Sequence, residues 1–167
     1  MKIDLTNIPL EGKKAAFRLG LDWWNPDIDE DRILKLESPV DVGIRLYPAG
    51  NRIIVEGYFS VTLLLRCDRC LESYTWDLSK DFKLYLSMIP FKGDGDIELA
   101  EDDLDLDFIN DNFLDLDQII REQLILNIPL KTLCRTECKG ICPLCGCNLN
   151  IVDCSCSFRH NTSNHQK

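Results

Sequence analysis

The chain has 167 residues, enough for one domain with a modest core and an appendage. A hydrophobic content of 45% excludes wholesale disorder, and the strongly apolar runs, such as Val61 to Leu65, are far too short to span a bilayer. The formal net charge of -9 is uneven: Asp94 to Asp117 holds eleven acids and no Lys or Arg, so the remainder carries about +2, and broad electrostatic binding of nucleic acid is not expected.

In chain order, Lys2 to Leu5 alternates as a short strand would, and Pro9-Leu10-Glu11-Gly12 reads as a turn. Ala15 to Leu21 is ambiguous between helix and strand, and Trp23-Trp24-Asn25-Pro26 closes it with aromatics expected in core or edge packing. From Ile33 the pattern is β. Val40 to Leu46 alternates, Pro48 to Asn51 turns, and Ile53 to Leu65 runs back rich in Val, Ile, Phe and Thr. Tyr74 to Leu86 is a third long strand, with Trp76, Leu78, Phe82, Leu84 and Leu86 on one face. Three sequential strands with short turns predict an antiparallel meander. An acidic loop spans 94–114, entered through Gly93 to Asp96. A helix follows over 115–127: Asp115 caps it, Gln118 completes a capping box, Leu116, Ile119, Ile120 and Leu124 form its apolar stripe, and Pro129 ends it. The predicted organisation is α+β: an antiparallel sheet with one packed helix over 1–133, a Cys-rich zinc-knuckle segment over 134–156, and a disordered tail over 157–167.

Eight of the nine cysteines form close pairs: Cys67/Cys70, Cys134/Cys138, Cys142/Cys145 and Cys154/Cys156. Two thiolates two to four residues apart can face one ion, and a tetrahedral Zn²⁺ takes two such pairs, so two closed structural sites are expected. Cys142-Pro-Leu-Cys145-Gly146 is the most specific piece, because a tight turn there aims backbone N–H groups at sulfur and the small Gly permits it. Met1 to Leu5 does not resemble a secretory leader, so a reducing cytoplasmic setting is expected, where clustered Cys more commonly bind metal than form disulfides. A thioredoxin-type Cys67-Asp-Arg-Cys70 would open a helix, whereas turn and strand residues follow here. The pairs can couple in three ways. The favoured reading joins Cys67/Cys70 with Cys134/Cys138 (site 1) and Cys142/Cys145 with Cys154/Cys156 (site 2), which lets the helix carry the second thiol pair back to the sheet. The runner-up joins Cys134/Cys138 with Cys142/Cys145. Cys147 is left over as a small turn residue.

Four stretches resemble the bacterial and chloroplast large-ribosomal-RNA-subunit accumulation proteins, the YceD-like family: Pro9 to Lys14, Cys67 to Glu72, Arg121 to Leu130, and Cys138 to Asn150 with its Cys-Pro-Leu-Cys-Gly core. The resemblance implies a part in synthesis, processing or stability of large-subunit (23S-type) ribosomal RNA, without an established catalytic activity. It also implies the first pairing, since some members lack the Cys-Pro-x-Cys-Gly half yet keep the other two pairs. This chain departs from the family at Cys147 and in the tail after Cys156.

No enzyme is expected. The two histidines, His160 and His165, lie in the tail, and four thiols per ion leave no open coordination position. Each four-thiolate Zn²⁺ carries about -2, which offsets the knuckle region's cations. Contact with large-subunit RNA or a pre-ribosomal particle is therefore expected to be local, through Arg66, Arg69, Arg135 and Lys139. A second reading is an acidic adaptor that holds a basic client such as a ribosomal protein on the 94–114 stretch.

Overall fold

The computed structural model describes residues 1–25, 32–50, 52–87 and 113–156, together with the backbone of 106–108. The expected tail over 157–167 and most of the acidic 94–114 stretch lie outside them. Eight strands and one helix are described: β1 (Lys2–Asp4), β2 (Lys13–Leu19), β3 (Ile33–Leu36), β4 (Val40–Ala49), β5 (Arg52–Arg66), β6 (Ser73–Ser87), β7 (Leu106–Phe108), β8 (Phe113–Asp115) and α1 (Leu116–Asn127). A short 3₁₀ turn covers Leu21–Trp23.

The meander is present and larger than the sequence pattern shows. β4, β5 and β6 pair antiparallel, with Val42 opposite Phe59 and Phe59 opposite Lys80. β2 adds to the free edge of β4, which settles Ala15 to Leu21 as mostly strand. β3 continues the same edge of β5, so β3 and β4 lie end to end along one 15-residue strand. β7 pairs parallel with β6, and β1 pairs with β8, so the acidic stretch is strand at both described places rather than loop throughout.

Two turns show what sets the strand ends. Pro9 to Gly12 turns as expected, with the Gly12 N–H donating to Pro9 O at 2.8 Å and Gly12 at φ 84°. β4, however, runs through Pro48 and Ala49, which the sequence pattern places in the following turn. A strand tolerates proline where one side is unpaired. The β2–β4 register ends at Lys13 opposite Leu46, so among the described residues Pro48 has no strand partner on that side.

The core lies on one face of the sheet. Val40, Val42, Ile44 and Leu46 of β4 share a cluster with Val55, Phe59, Val61, Leu63 and Leu65 of β5, and with Leu78 and Leu86 of β6. The stripe Leu116, Ile119, Ile120 and Leu124 closes over this face, so α1 packs on the sheet as its periodicity predicts. Trp24 is buried and donates from Nε1 to Ile33 O at 3.3 Å, while Arg121 stacks over Trp23 at 4.3 Å and donates to its carbonyl at 2.6 Å.

The helix cap corrects one detail. Asp115 does cap, accepting from the Asp117 N–H at 3.1 Å, but Gln118 does not complete a box. Its amide donates to Glu122 Oε1 at 2.9 Å, one turn ahead on the exposed face. An i,i+4 partner takes the side chain away from the cap.

Candidate metal centre

The first cluster forms where the β5–β6 hairpin tip meets the chain leaving α1. The Cys67 N–H donates to Glu72 O at 2.9 Å, which closes the tip immediately beyond the Arg66–Ser73 pair. Past Pro129, the chain is clamped to that tip by Thr132. This threonine is fully buried; its hydroxyl donates to Arg66 O at 2.7 Å and its N–H to Asp68 Oδ2 at 2.6 Å, while the Asp68 N–H returns a bond to Thr132 O at 2.8 Å. Two residues later Cys134 reaches Cys70, with sulfurs 3.7 Å apart, and Cys138 reaches Cys67 at 3.8 Å.

These separations discriminate between chemistries. A disulfide needs about 2 Å between sulfurs. Four sulfurs about 2.3 Å from one tetrahedral zinc stand about 3.8 Å from each other. The four sulfurs of Cys67, Cys70, Cys134 and Cys138 all lie within 4.8 Å of one another, so they could hold an ion without large rearrangement.

The backbone prepares the sulfurs. Burial alone would raise the Cys67 thiol, but N–H groups of Cys70, Cys134 and Arg69 point at it and bring it down to about 6. Cys134 is pushed up to about 12, first by burial and then by its neighbouring sulfurs. Four thiols crowded together cannot all ionise unless a cation joins them. Cys138 is opposed by burial, yet the Asn150 amide and the Gly140 N–H lower it.

The second cluster repeats the knuckle. The Gly146 N–H donates to Cys142 O at 2.8 Å with Gly146 at φ 73°, just as the Leu71 N–H donates to Cys67 O at 2.9 Å with Leu71 at φ 63°. In both turns the residue after the second Cys is left-handed, but the first uses leucine where glycine is the unstrained choice. Cys145 and Cys142 each stand 3.5 Å from Cys154, and Cys142, Cys145, Cys154 and Cys156 form a second group within 4.8 Å. Cys145 is brought down to about 6, first by the Cys147 N–H. The Cys147 carbonyl accepts from the Cys142 N–H at 2.8 Å, and the Cys147 thiol borders the cluster, pushed up to about 12 by Cys145.

The four cations singled out in the sequence are exposed, and each adjoins a cysteine of the first cluster along the chain: Arg66 precedes Cys67, Arg69 precedes Cys70, Arg135 follows Cys134 and Lys139 follows Cys138. Two already hold the knuckles together: Arg69 donates to Cys138 O at 2.9 Å, and Arg135 donates to Asn150 Oδ1 at 2.8 Å. Asp68, Thr132 and Asn150 are the site residues that sequence reasoning passes over. The Asx-type position of Asp68 inside Cys-x-x-Cys was the one available signal, because a short carboxylate in a turn seeks a nearby N–H.

A family model described as "Large ribosomal RNA subunit accumulation protein YceD" matches residues 55–165, a span that contains both cysteine clusters. The chain belongs to this family. It is 28% identical over 147 residues to the large ribosomal RNA subunit accumulation protein YCED homolog 1, chloroplastic, of Zea mays, covering 74% of this chain and 50% of that one. The homologue of the same name from Arabidopsis thaliana is 27% identical over 174 residues, covering 83% and 54%. An uncharacterized protein of Mycobacterium tuberculosis (strain ATCC 25618 / H37Rv) is 24% identical over 107 residues, covering 64% and 50%. The chain thus spans about half the length of the curated relatives it matches. No solved structure matches it significantly. Among the described residues, no helix is long and apolar enough to cross a membrane.

Proposed function

We propose that this chain is a non-catalytic factor that supports the synthesis, processing or stability of large-subunit ribosomal RNA, with two structural zinc ions held by Cys67, Cys70, Cys134 and Cys138 and by Cys142, Cys145, Cys154 and Cys156. The observation that carries the reading is the family match running through both four-sulfur groups. Four sulfurs at tetrahedral spacing fill the coordination of zinc and leave no position for a substrate or activated water. The ion then acts as a cross-link. It joins the hairpin tip to the exit of α1 and presents Arg66, Arg69, Arg135 and Lys139 around the joint as the surface for a pre-ribosomal particle in the cytoplasm. Contact there is local, because the four-thiolate centres cancel the cations' long-range field.

The test is gradient sedimentation of cell lysate, with and without nuclease, alongside measurement of large-subunit RNA in cells lacking the chain. The expected result is co-sedimentation with large-subunit precursors and a fall in large-subunit RNA relative to small-subunit RNA. A protein confined to the top of the gradient, with normal RNA in its absence, would refute the reading.

A further inference from the structure

Asn150 belongs by sequence to the second cluster and by contact to the first. It lies between Cys145 and Cys154, inside the loop that the second group of sulfurs closes. Its side-chain amide nevertheless donates to Cys138 Sγ at 3.3 Å and to Asn148 Oδ1 at 2.9 Å. Its Oδ1 accepts from the Lys139 N–H at 2.9 Å and from Arg135 at 2.8 Å. The loop itself is held in place by the Leu149 N–H donating to Gly140 O at 2.9 Å and by the bridge between Ile141 and Asn148. Gly140 in turn packs against Arg69 O of the first knuckle, leaving only 3.0 Å for an added Cβ.

We infer that Asn150 is a positioning residue through which the second metal centre tightens the first. The inference rests on the two-ion reading above. An N–H donor on a thiolate disperses its charge and fixes its orientation toward the metal. The loop from 146 to 153 that aims this donor at Cys138 is tied at both ends by the second group of sulfurs, in addition to the backbone contacts with Gly140 and Ile141. Losing the second ion frees that loop and withdraws the donor from the first centre. Partners of this outer kind change metal affinity by about 10–100-fold, and a change of that size is expected at the first centre when the second is broken. Because the coupling is a difference in free energy, loss of the first ion weakens the second by the same factor.

A double-mutant cycle on the full chain tests it. Four proteins are compared: the native chain, Cys142→Ser/Cys154→Ser, Asn150→Ala, and the combination. Chelator competition reads zinc retention at the first centre, which is assigned against a Cys70→Ser/Cys134→Ser chain that lacks it. Breaking the second centre should weaken the first about 10–100-fold in the native background and add nothing once Asn150 is alanine. Asn150→Asp keeps acceptors for Arg135 and Lys139 but sets a carboxylate against the thiolate, so it should weaken the first centre at least as much. With Co²⁺ in place of zinc, the sulfur-to-cobalt charge-transfer band of the first centre should move to lower energy in Asn150→Ala, and likewise when the second centre is broken, whereas a weakening that does not pass through the Cys138 donor would leave the band unmoved. Additive losses, or an Asn150→Ala chain with native retention and an unmoved band, would overturn the inference while leaving two ions in place. A native chain that carries no metal at all would overturn both readings.

Discussion

The two proposed centres are chemically alike but topologically unequal, and replacing one ligand in each separates them. Between Cys70 and Cys134 lie 63 residues, whereas between Cys145 and Cys154 lie eight. Closing a flexible loop costs about (3/2)RT ln n, so a cross-link that spans the longer one removes about 3.7 kcal/mol of unfolded-chain freedom and the shorter one about 1.8 kcal/mol. Cys70→Ser should therefore destabilise by about 2 kcal/mol more than Cys145→Ser for the same chemical change. Burial acts in the same direction, because Cys70 is 4% exposed and joins Cys67 and Cys138 in a small core, whereas Cys145 is exposed. At about 2–4 °C per kcal/mol for a chain of this size, the gap in melting temperature should be about 4–8 °C. Thermal melting followed by circular dichroism, with zinc in excess, measures it. The coupling through Asn150 does not reverse the order, since breaking the second centre only weakens the first. Equal melting temperatures, or a lower one for Cys145→Ser, would refute the argument that the first ion holds the fold together.

Three further changes report on the knuckles. Leu71 is left-handed at φ 63° and 59% exposed, so Leu71→Gly should stabilise by about 0.5 kcal/mol, while Gly146→Leu at φ 73° should cost about 1–2 kcal/mol; denaturant unfolding with metal present should give opposite signs. Thr132→Val keeps the shape of a fully buried side chain but leaves Arg66 O without its hydroxyl donor, so a loss of about 1–2 kcal/mol is expected in the same assay, and an unchanged midpoint would show that the clamp is dispensable. The thiols of Cys67 and Cys145 sit low, at about 6, so the stabilisation from their charged form is present above the ordinary thiol range and is lost as pH falls through the lowered values. Metal should accordingly leave on acidification and not on moderate alkalinisation, and native mass spectrometry that still finds both ions at pH ~3 would argue against all-thiolate ligation.

What the sequence made legible follows from where its signals are local. Alternation located β4 to β6, because each residue from Val40 to Leu46 answers only to the two faces of one sheet. Paired spacing located both sulfur groups, because two cysteines three residues apart must share a turn. The coupling of those pairs is non-local: the elements only favoured joining the hairpin tip to the helix exit, the family resemblance implied it, and the spacing alone left the runner-up open, whereas the two sulfur groups of the structure follow the favoured pairing. β2 was only half legible: Lys13 and Lys14, Ala16 and Arg18 leave a weak alternation, and its strand form comes from the free edge of β4 rather than from its own residues. β7 and β8 carry acids that read as loop, and they pair because β6 and β1 offer open edges. Asn150 was invisible for a different reason. Nothing in Asn-Leu-Asn indicates that its amide will face a sulfur twelve residues upstream.

The segment from 134 to 156 shows why sulfur has to do this work. Its buried residues of hydrophobic type are Cys138 and Cys142, and no aliphatic or aromatic side chain in it is buried. Leu144, Ile151 and Val152 are more than half exposed, and Ile141 is 38% exposed. A stretch this short that buries no apolar side chain lacks the main favourable term in folding and cannot offset the entropy of ordering its backbone. Its hydrogen bonds cannot substitute, since each contributes only about 1 kcal/mol net and most exchange with water. Yet the segment is ordered around two groups of four sulfurs, with N–H groups of both knuckles turned inward at them. Inward N–H groups with no anion would be unfavourable, and thiolates with no cation would repel. A divalent ion at each group satisfies both at once, and structural zinc contributes about 10 kcal/mol or more of apparent folding energy, enough to replace the missing core. The local fold of this segment is therefore expected to vanish with its metal, while the sheet under α1, which has its own core, should persist.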